Sequence, residues 1–235
     1  MHYVIGDIHN EARKLNSILE QIQITQNDEV IFLGDLFDRG GAEPDPVSVY
    51  FMLSGLQGHY IWIRGNHDQW LADYIMKYYT LPERKRKKML AYAYNSFDLL
   101  KQRMTEVDML NLAEMIQKLP LQKEFEVEGK TFLCAHAMTS NPLVCQPNDY
   151  YMMGNYGMDA FFLGGIDGYI SLCGHTPTCN LLWGNKGKYL DEYMKTIWAN
   201  EKKNMYLLDC GSGFAGGRLA CMCLETGDRF YSKNN

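Results

Sequence analysis

The stretch Gly34-Asp35-Leu36-Phe37-Asp38-Arg39-Gly40 decides how this chain of 235 residues folds. It follows Glu29–Gly34, an apolar segment rich in β-branched residues, which the pattern predicts to be a buried strand. Similar segments at His2–Gly6 and His59–Arg64 are also followed within two residues by Asp or Asn, and then by His. Polar side chains that recur at the same position after three successive strands indicate a functional site, because stability alone does not require them there.

The order of elements around this stretch predicts an α/β sheet. Helical apolar spacing at Glu11–Gln23 and Val47–Leu56 separates the three predicted strands. Strand–helix–strand order implies right-handed crossovers, so the carboxyl ends of the strands open at one edge. Ligands bind at such an edge in open α/β sheets.

The rest of the chain divides into a helical and a β-rich part. No glycine occurs from Asn66 to Glu128, and helical spacing there predicts a helical insertion at about 69–119. The predicted helices of this insertion are Gln69–Tyr79, Pro82–Arg103 and Glu106–Leu119. The predicted later strands are Lys123–Val127, Thr131–Ala135, Tyr169–Cys173, Met205–Asp209, Arg218–Leu224 and Arg229–Tyr231. We expect a single domain, residues 1–235.

Two other segments allow two interpretations each. The run Arg84–Lys88 carries five consecutive positive charges, and we favour a solvated surface over a guide for anionic substrates. Residues Asn141–Gly168 contain no Lys or Arg and many Tyr, Met and Gly. This segment is either an ordinary connecting loop or one that contacts substrate.

Composition excludes several classes of protein. Apolar residues make up 46% and charged residues 22%, which is typical of a globular chain. The net charge of −5 argues against coating of nucleic acid or of anionic membranes. No secretory signal or long apolar run is visible, and the seven cysteines form no CxxC pair. These features predict a cytoplasmic protein with reduced thiols, and oligomeric state is left open.

Histidines complete the pattern of polar strand ends. His9 and His67 follow early strands, and His136 and His175 follow later ones, in Ala135–Ala137 and Gly174–Pro177. Asp, Asn and His without a thiolate suit Mn²⁺, Fe²⁺ or Zn²⁺, with Mn²⁺ preferred here. These side chains are too many for one tetrahedral ion, and they fit two ions about 3.5–4 Å apart, as in phosphoryl-transfer sites.

The motifs GDIH, GDLFDRG, RGNHD, AHA and GHTP, in this order, resemble those of the calcineurin-like metallophosphoesterases. Within them they are similar to the phosphoprotein phosphatase type and its bacterial and phage relatives. The resemblance implies a two-layer β-sandwich flanked by helices, the αββα arrangement. It also implies phosphomonoester hydrolysis by a hydroxide that bridges two divalent metal ions.

The resemblance implies a role for each motif residue. The implied metal ligands are Asp7 and His9 on one ion, Asp35 on both, and Asn66, His136 and His175 on the second. His67 is the implied general acid, held by Asp38. Arg39 and Arg64, with Asn66, are the implied phosphate-binding residues, since a guanidinium matches two phosphate oxygens.

The sequence also departs from the family pattern. Asn10 stands where the family usually has Gly, and Met138 follows His136-Ala137 in place of Gly. No Lys or Arg lies between His136 and His175, where phosphoprotein phosphatases place a third arginine. Arg218 is one candidate replacement.

Three functions follow as hypotheses. The favoured one is a serine/threonine protein phosphatase, because Arg64 before Gly-Asn-His and the intact Asp38-Arg39-Gly40 are typical of that branch. The alternative enzyme is a hydrolase of dinucleoside polyphosphates of the diadenosine tetraphosphate type, or of another small nucleotide. The alternative that is not an enzyme is an inactive binding module.

Overall fold

The computed structural model of the protein describes residues 1–89, 96–154, 164–183, 188–189 and 192–233. The early strands in these ranges are β1 (His2–Ile5), β2 (Glu29–Phe32), β3 (His59–Trp62), β4 (Gln122–Val127), β5 (Lys130–Ala135) and β6 (Ile170–Cys173). The later strands are β7 (Leu182–Trp183), β8 (Lys188–Tyr189), β9 (Trp198–Ala199), β10 (Met205–Leu207), β11 (Ala220–Cys223) and β12 (Arg229–Tyr231). The helices are α1 (Ala12–Ile22), α2 (Pro46–Ser54), α3 (Asn66–Thr80), α4 (Glu83–Arg86), α5 (Phe97–Lys101), α6 (Glu106–Gln117), α7 (Asn148–Met153) and a 3₁₀ turn at Thr178–Asn180.

Two five-stranded sheets dominate the described part of the chain. The first has the order β12-β11-β1-β2-β3, with β1, β2 and β3 parallel, as the strand–helix alternation predicts. The second has the order β4-β5-β6-β10-β9, in which β5, β6 and β10 are parallel. The carboxyl ends of both parallel sets carry the polar motifs.

Side-chain alternation places one core on each face of the first sheet. In β1 and β2, Val4 and Ile31 face the second sheet, where they meet residues such as Leu172. Their neighbours Ile5 and Phe32 face the helices. Successive side chains of a strand point to opposite faces, so short apolar strands bury both.

The helices complete four layers. Helices α1, α2, α3, α5 and α6 contribute to the core on the outer face of the first sheet. On the far face of the second sheet, Tyr150 of α7 packs against a cluster that includes Met138 and Cys173. The predicted αββα fold is therefore confirmed, and α3, α5 and α6 pack in the same core as α1 and α2.

Two helix predictions differ from the structure. Helix α3 begins at Asn66 and not at Gln69, because the Asp68 carboxylate accepts the Gly65 N–H at 3.1 Å and stabilises an earlier start. The predicted helix Pro82–Arg103 is two short helices, α4 and α5, and its middle, 90–95, lies outside the described residues. Helix α4 ends at Arg86, where like charges one turn apart, as in Arg84 and Lys88, disfavour continuation.

The sequence did not predict α7 or the short strands β7, β8 and β9. Helix α7 lies inside the segment 141–168 interpreted as a loop, of which residues 155–163 lie outside the described ranges. Four of the five residues in the basic run are exposed, and Arg86 is half-buried. Across the described ranges, no helix is both long and apolar enough to span a bilayer.

Candidate metal centre and active site

The motif residues meet at one edge of the two sheets. Asp7 follows β1, Asp35 follows β2, and Asn66 begins α3 just after β3. His136 and His175 follow β5 and β6 of the second sheet. Both sheets thus supply side chains to one cluster, in which His175 is half-buried and the other four residues are buried.

Asp35 belongs to two groups of side chains that can each hold a metal ion. One group is Asp7, His9 and Asp35, and the other is Asp35, His136 and His175. The Asp35 Oδ2 atom lies 3.8 Å from His9 Nε2 and 3.3 Å from His136 Nε2. A carboxylate shared in this way fits a bridge between two cations.

Asn66 lies with the second group. Its Oδ1 atom is 3.1 Å from His136 Nε2, and that nitrogen is also 3.1 Å from His175 Nδ1. Each of these three groups can offer a lone pair to a cation, His136 Nε2 after losing its proton, and they converge on one point. Such convergence suits a cation better than it suits hydrogen bonding among the groups themselves.

Backbone carbonyls fix the orientation of two imidazoles. His136 Nδ1 donates to the Leu33 carbonyl at 2.8 Å, and His9 Nδ1 donates to the Phe37 carbonyl at 3.2 Å. Each bond leaves Nε2 facing the cluster, as is usual for histidines that bind metals. Within the described residues, the buried His9 Nε2 has no hydrogen-bond partner.

Backbone amides orient the two carboxylates. The His175 N–H lies 3.1 and 3.0 Å from the two oxygens of Asp7, and the His67 N–H donates to Asp35 Oδ1 at 2.9 Å. A Cβ at Gly174 would collide with Asp7 Oδ1, and one at Gly65 would collide with Asp35 Oδ1. The motif glycines therefore permit the close approach of the backbone to these carboxylates.

The electrostatics show a cluster that needs positive charge. Burial raises the pKa of Asp7, and the neighbouring Asp209 raises it further. Burial opposes the charged form of His136, but Asp35 and Asp7 overcome it and raise the pKa to about 10. Burial lowers the pKa of His9 to about 3, so this ring is neutral. In the protein alone, a proton on His136 balances the carboxylates, and divalent cations would do the same.

These residues fit the two-metal site implied by the sequence. The donor set has carboxylates, an amide oxygen and imidazoles that are neutral or can lose a proton to a bound metal, and Asp35 is available to both groups. The buried His9 Nε2, which has no hydrogen-bond partner in the described part of the chain, is further support. The individual ligand roles remain predictions.

His67 and Asp38 form a buried pair beside the cluster. His67 Nδ1 lies 3.1 Å from Asp38 Oδ2, and the buried His67 Nε2 has no hydrogen-bond partner among the described residues. The Trp70 ring packs against His67 with centroids 4.8 Å apart. This arrangement holds the imidazole with one nitrogen available for proton transfer.

The two candidate phosphate-binding arginines differ in position. The Arg39 guanidinium lies 5.1 Å from the centroid of the Phe214 ring, at the rim of the site. Arg64 Nη1 donates to Gln69 Oε1 at 2.9 Å and to the Gln117 carbonyl at 3.0 Å. In this structure Arg64 is thus held toward α3 and α6, and phosphate binding would require it to exchange these partners.

The structure shows where Arg218 lies. Its guanidinium stacks on the Tyr231 ring, 4.4 Å from the centroid. Tyr231 belongs to β12, so the Arg218 guanidinium lies against the edge strand of the first sheet.

Sequence reasoning assigned no role to Asp68, which organises the site. Its carboxylate accepts the backbone N–H groups of Asp35, Leu36 and Gly65 and the Trp62 indole N–H, at 2.9 to 3.1 Å. Burial and the nearby Asp35 raise its pKa to about 6. Its position in RGNHD, at the start of a helix, was the available signal.

Asp209 is a second acidic residue that the sequence did not assign to the site. It is buried, and Oδ1 accepts the Gly211 N–H at 2.8 Å. Its Oδ2 has no hydrogen-bond partner among the described residues. Burial raises the pKa of this carboxyl to about 6, and its charge in turn raises the pKa of Asp7.

Left-handed backbone is concentrated at the site. Six motif or adjacent residues have positive φ angles between 50° and 68°: His9, Asn10, Asp35, Asp38, Arg39 and His175. Residues other than glycine rarely adopt this conformation, and it persists only where surrounding contacts hold it. The surrounding fold therefore fixes the backbone of these six residues and, with it, the direction of their side chains.

The fold and site define a metallophosphoesterase, and comparison with known proteins agrees. The family model for calcineurin-like phosphoesterases matches residues 3–179. The chain therefore belongs to this family.

Several curated relatives are symmetrical bis(5'-nucleosyl)-tetraphosphatases. The protein from Buchnera aphidicola is 31% identical over 98 residues, 41% of this chain, and that from Coxiella burnetii is 38% identical over 82 residues, 34% of this chain. These matches span 33% and 26% of the length of those relatives. A longer match, 27% identity over 206 residues, is to an uncharacterised protein of Methanocaldococcus jannaschii and covers 83% of this chain and 72% of that protein.

Solved structures share the fold. A structure provisionally described as a diadenosine tetraphosphatase has a TM-score of 0.64 at 18% identity, covering 100% of this chain and 94% of its own. A protein serine/threonine phosphatase from Saccharomyces cerevisiae has a TM-score of 0.58 at 15% identity, covering 100% and 80%. At these identities the likeness concerns the fold alone.

Proposed function

We propose that the chain is a phosphomonoester hydrolase that uses two divalent metal ions. The observation that carries this proposal is Asp35, which both candidate ligand groups share. When bound, the two ions supply Lewis-acid stabilisation of phosphate oxygens and lower the pKa of water so that hydroxide is available at neutral pH. Mn²⁺ is the preferred ion, with Fe²⁺ and Zn²⁺ as alternatives.

The chain's own residues account for the other parts of the reaction. Arg39 lies at the rim of the site and would pair with phosphate oxygens, together with Asn66. His67 would give a proton to the departing oxygen from Nε2, for which the described ranges of the chain provide no hydrogen-bond partner. Asp38 would stabilise the charged imidazole and hold its orientation through the 3.1 Å contact.

The substrate that we propose first is phosphoserine or phosphothreonine in a protein. Support comes from Arg64 and from the Asp38-Arg39-Gly40 motif, which resemble the phosphoprotein phosphatase branch. A serine or threonine alkoxide is a poor leaving group, so hydrolysis depends on a proton donor. The His67–Asp38 pair meets that need.

A second candidate substrate is a dinucleoside polyphosphate. The curated relatives named as symmetrical tetraphosphatases favour it. The absence of Lys and Arg between His136 and His175 favours it as well, because the third arginine of phosphoprotein phosphatases is missing.

A substrate panel tests the proposal. Purified protein loaded with Mn²⁺ is assayed on p-nitrophenyl phosphate, a phosphoserine peptide and diadenosine tetraphosphate. Phosphate release from the peptide without nucleotide products from the dinucleotide supports the first candidate, and formation of ADP supports the second. Failure on every phosphoester would support an inactive binding module instead.

A further inference from the structure

The helical insertion reaches the active site through Ser96, a fully buried residue just before α5. Ser96 and Asp38 exchange two hydrogen bonds: the Asp38 N–H donates to Ser96 Oγ, and the Ser96 N–H donates to Asp38 Oδ1, both at 2.7 Å. The two residues are 58 positions apart in the sequence. Ser96 therefore fixes both the backbone and the carboxylate of Asp38.

The Ser96 hydroxyl also connects to the first motif. Its hydrogen is donated to Asn10 Oδ1 at 3.0 Å, and the Asn10 amide donates to the Arg39 carbonyl at 3.2 Å. Asn10 is buried, and it is the residue that departs from the glycine expected after GDIH. The hydroxyl thus uses both its acceptor and its donor capacity within this network.

The network determines how Asp38 meets His67. Because Ser96 occupies Oδ1, Oδ2 is the oxygen presented to His67 Nδ1, at 3.1 Å. Asp38 and Arg39 have φ angles of 65° and 58°, so the chain here is in a conformation that needs external support. Ser96 and Asn10 bond to the backbone of these two residues.

We propose that Ser96 and Asn10 are positioning residues for the acid pair His67–Asp38, so that the helical insertion completes the proton-donating half of the site. This inference rests on the proposed phosphoester hydrolysis. Neither residue touches the leaving group, and both act through Asp38. Substitution of either residue should therefore reduce the rate more for substrates whose leaving group needs a proton.

The test compares leaving groups in Ser96→Ala. The variant retains the Ser96 backbone N–H but removes the hydroxyl that accepts the Asp38 N–H and donates to Asn10 Oδ1. We expect a loss of kcat of about tenfold to a hundredfold on an alkyl phosphate such as β-glycerophosphate, the size that small misplacements of catalytic groups produce. On p-nitrophenyl phosphate, whose leaving group needs little protonation, we expect less than about a threefold loss.

Ser232→Ala is the matched control. Ser232 is also buried and also forms a reciprocal pair, since Leu219 N donates to its Oγ at 3.0 Å and its own N–H donates to the Leu219 carbonyl at 2.8 Å. It lies beside β12, outside the motif cluster. We expect the ratio of variant rate to parent rate to be the same on the two substrates.

Combination with His67→Asn separates positioning from a general structural effect. Once the acid is absent, adding Ser96→Ala should change the alkyl phosphate rate by less than about twofold, because residues that act as a unit are not additive. Should Ser96→Ala fail to fold, Asn10→Gly removes the other arm while keeping a residue that accepts a positive φ. We expect the same selective loss from it.

Two outcomes would overturn the inference. One is an equal loss on both substrates in Ser96→Ala or Asn10→Gly, and the other is the full loss persisting in the His67→Asn background. Failure of the unmutated, Mn²⁺-loaded protein on p-nitrophenyl phosphate would instead reject the proposed function, so the two failures are distinguishable.

Discussion

At the scale of single residues, Asp35 links the two halves of the candidate metal centre. Its side chain faces histidines of both ligand groups, its own N–H is held by Asp68, and its Oδ1 accepts the His67 N–H. Burial alone would raise the pKa of Asp35, but His136, His67 and His9 lower it well below the ordinary value. The carboxylate is therefore ionised and available to cations.

Substitution Asp35→Asn should reduce metal content. The amide has no negative charge and offers one oxygen, so we expect fewer than two ions per chain by elemental analysis after loading with Mn²⁺ and desalting. Asp73→Asn is the control, since Asp73 is an exposed carboxylate on α3. A variant Asp35→Asn that still holds two ions would contradict the bridging role.

Substitution His67→Asn should separate chemistry from metal binding. The variant keeps every predicted ligand, so two ions should remain bound. We expect kcat on alkyl phosphates to fall by about 10²–10⁴, as for loss of a general acid, with a much smaller loss on p-nitrophenyl phosphate. Steady-state rates on both substrates provide the measurement, and equal losses would count against the acid role.

At the scale of elements, helix α2 depends on its first residues. Asp45 caps it, with Oδ1 accepting the Ser48 N–H at 3.0 Å and Oδ2 accepting the Ser48 hydroxyl at 2.6 Å. Pro46 occupies the first turn, where a missing N–H has no cost. Val47 and Leu53 then face the helix-side core.

Substitution Asp45→Ala should destabilise the protein at neutral pH by about 0.5–2 kcal/mol, the usual cost of losing such a cap. Burial is the largest single influence and opposes ionisation, but the bonds from Ser48 and the charge of Arg103 together outweigh it and lower the pKa of Asp45. A lowered pKa means that its stabilisation is present above the ordinary value and is lost as pH falls. The difference in unfolding free energy between parent and variant should therefore shrink from about pH 5 to pH 3.

Denaturant unfolding at both pH values measures this effect. Ser54→Ala, at the exposed end of the same helix, is the control and should cost less. A difference that grows as the pH falls would show that the Asp45 carboxylate does not stabilise the fold.

At the scale of the whole molecule, the candidate centre joins the two sheets. Asp7 and Asp35 follow strands of the first sheet, and His136 and His175 follow strands of the second. Ions held between them would bind the folded chain and not the unfolded one, since no such cluster exists before the sheets pack.

Divalent ions should therefore raise thermal stability. With Mn²⁺ at about 100 times its dissociation constant, one site adds about 2.7 kcal/mol. For a chain of this size this corresponds to a rise in Tm of roughly 5–11 °C over the protein in EDTA. Calorimetry gives the shift, and we expect a smaller one in Asp35→Asn. An unchanged Tm in the parent protein would argue against metal binding by the folded state.

The sequence predicted the parts of the structure that depend on local pattern. The three parallel strands and the polar residues after them follow from apolar periodicity and from motif order. The prediction of a single helix over Pro82–Arg103 was wrong, because apolar spacing carries no information about repulsion between charges in a basic run. Ser96 could not be found, since its role depends on a contact 58 residues away. The partners of Arg64 likewise depend on how α3 and α6 pack.

The left-handed backbone of the site has a consequence for how the sequence can vary. At Asp38 and Arg39, valine, isoleucine or threonine would be excluded by the backbone before any loss of chemistry is considered. Glycine and asparagine would preserve the chain path while removing function. Saturation mutagenesis scored separately for abundance and for activity should thus reveal positions where the fold itself admits only a few amino acids. At these positions both the backbone conformation and the chemistry of the site limit which substitutions can accumulate in evolution.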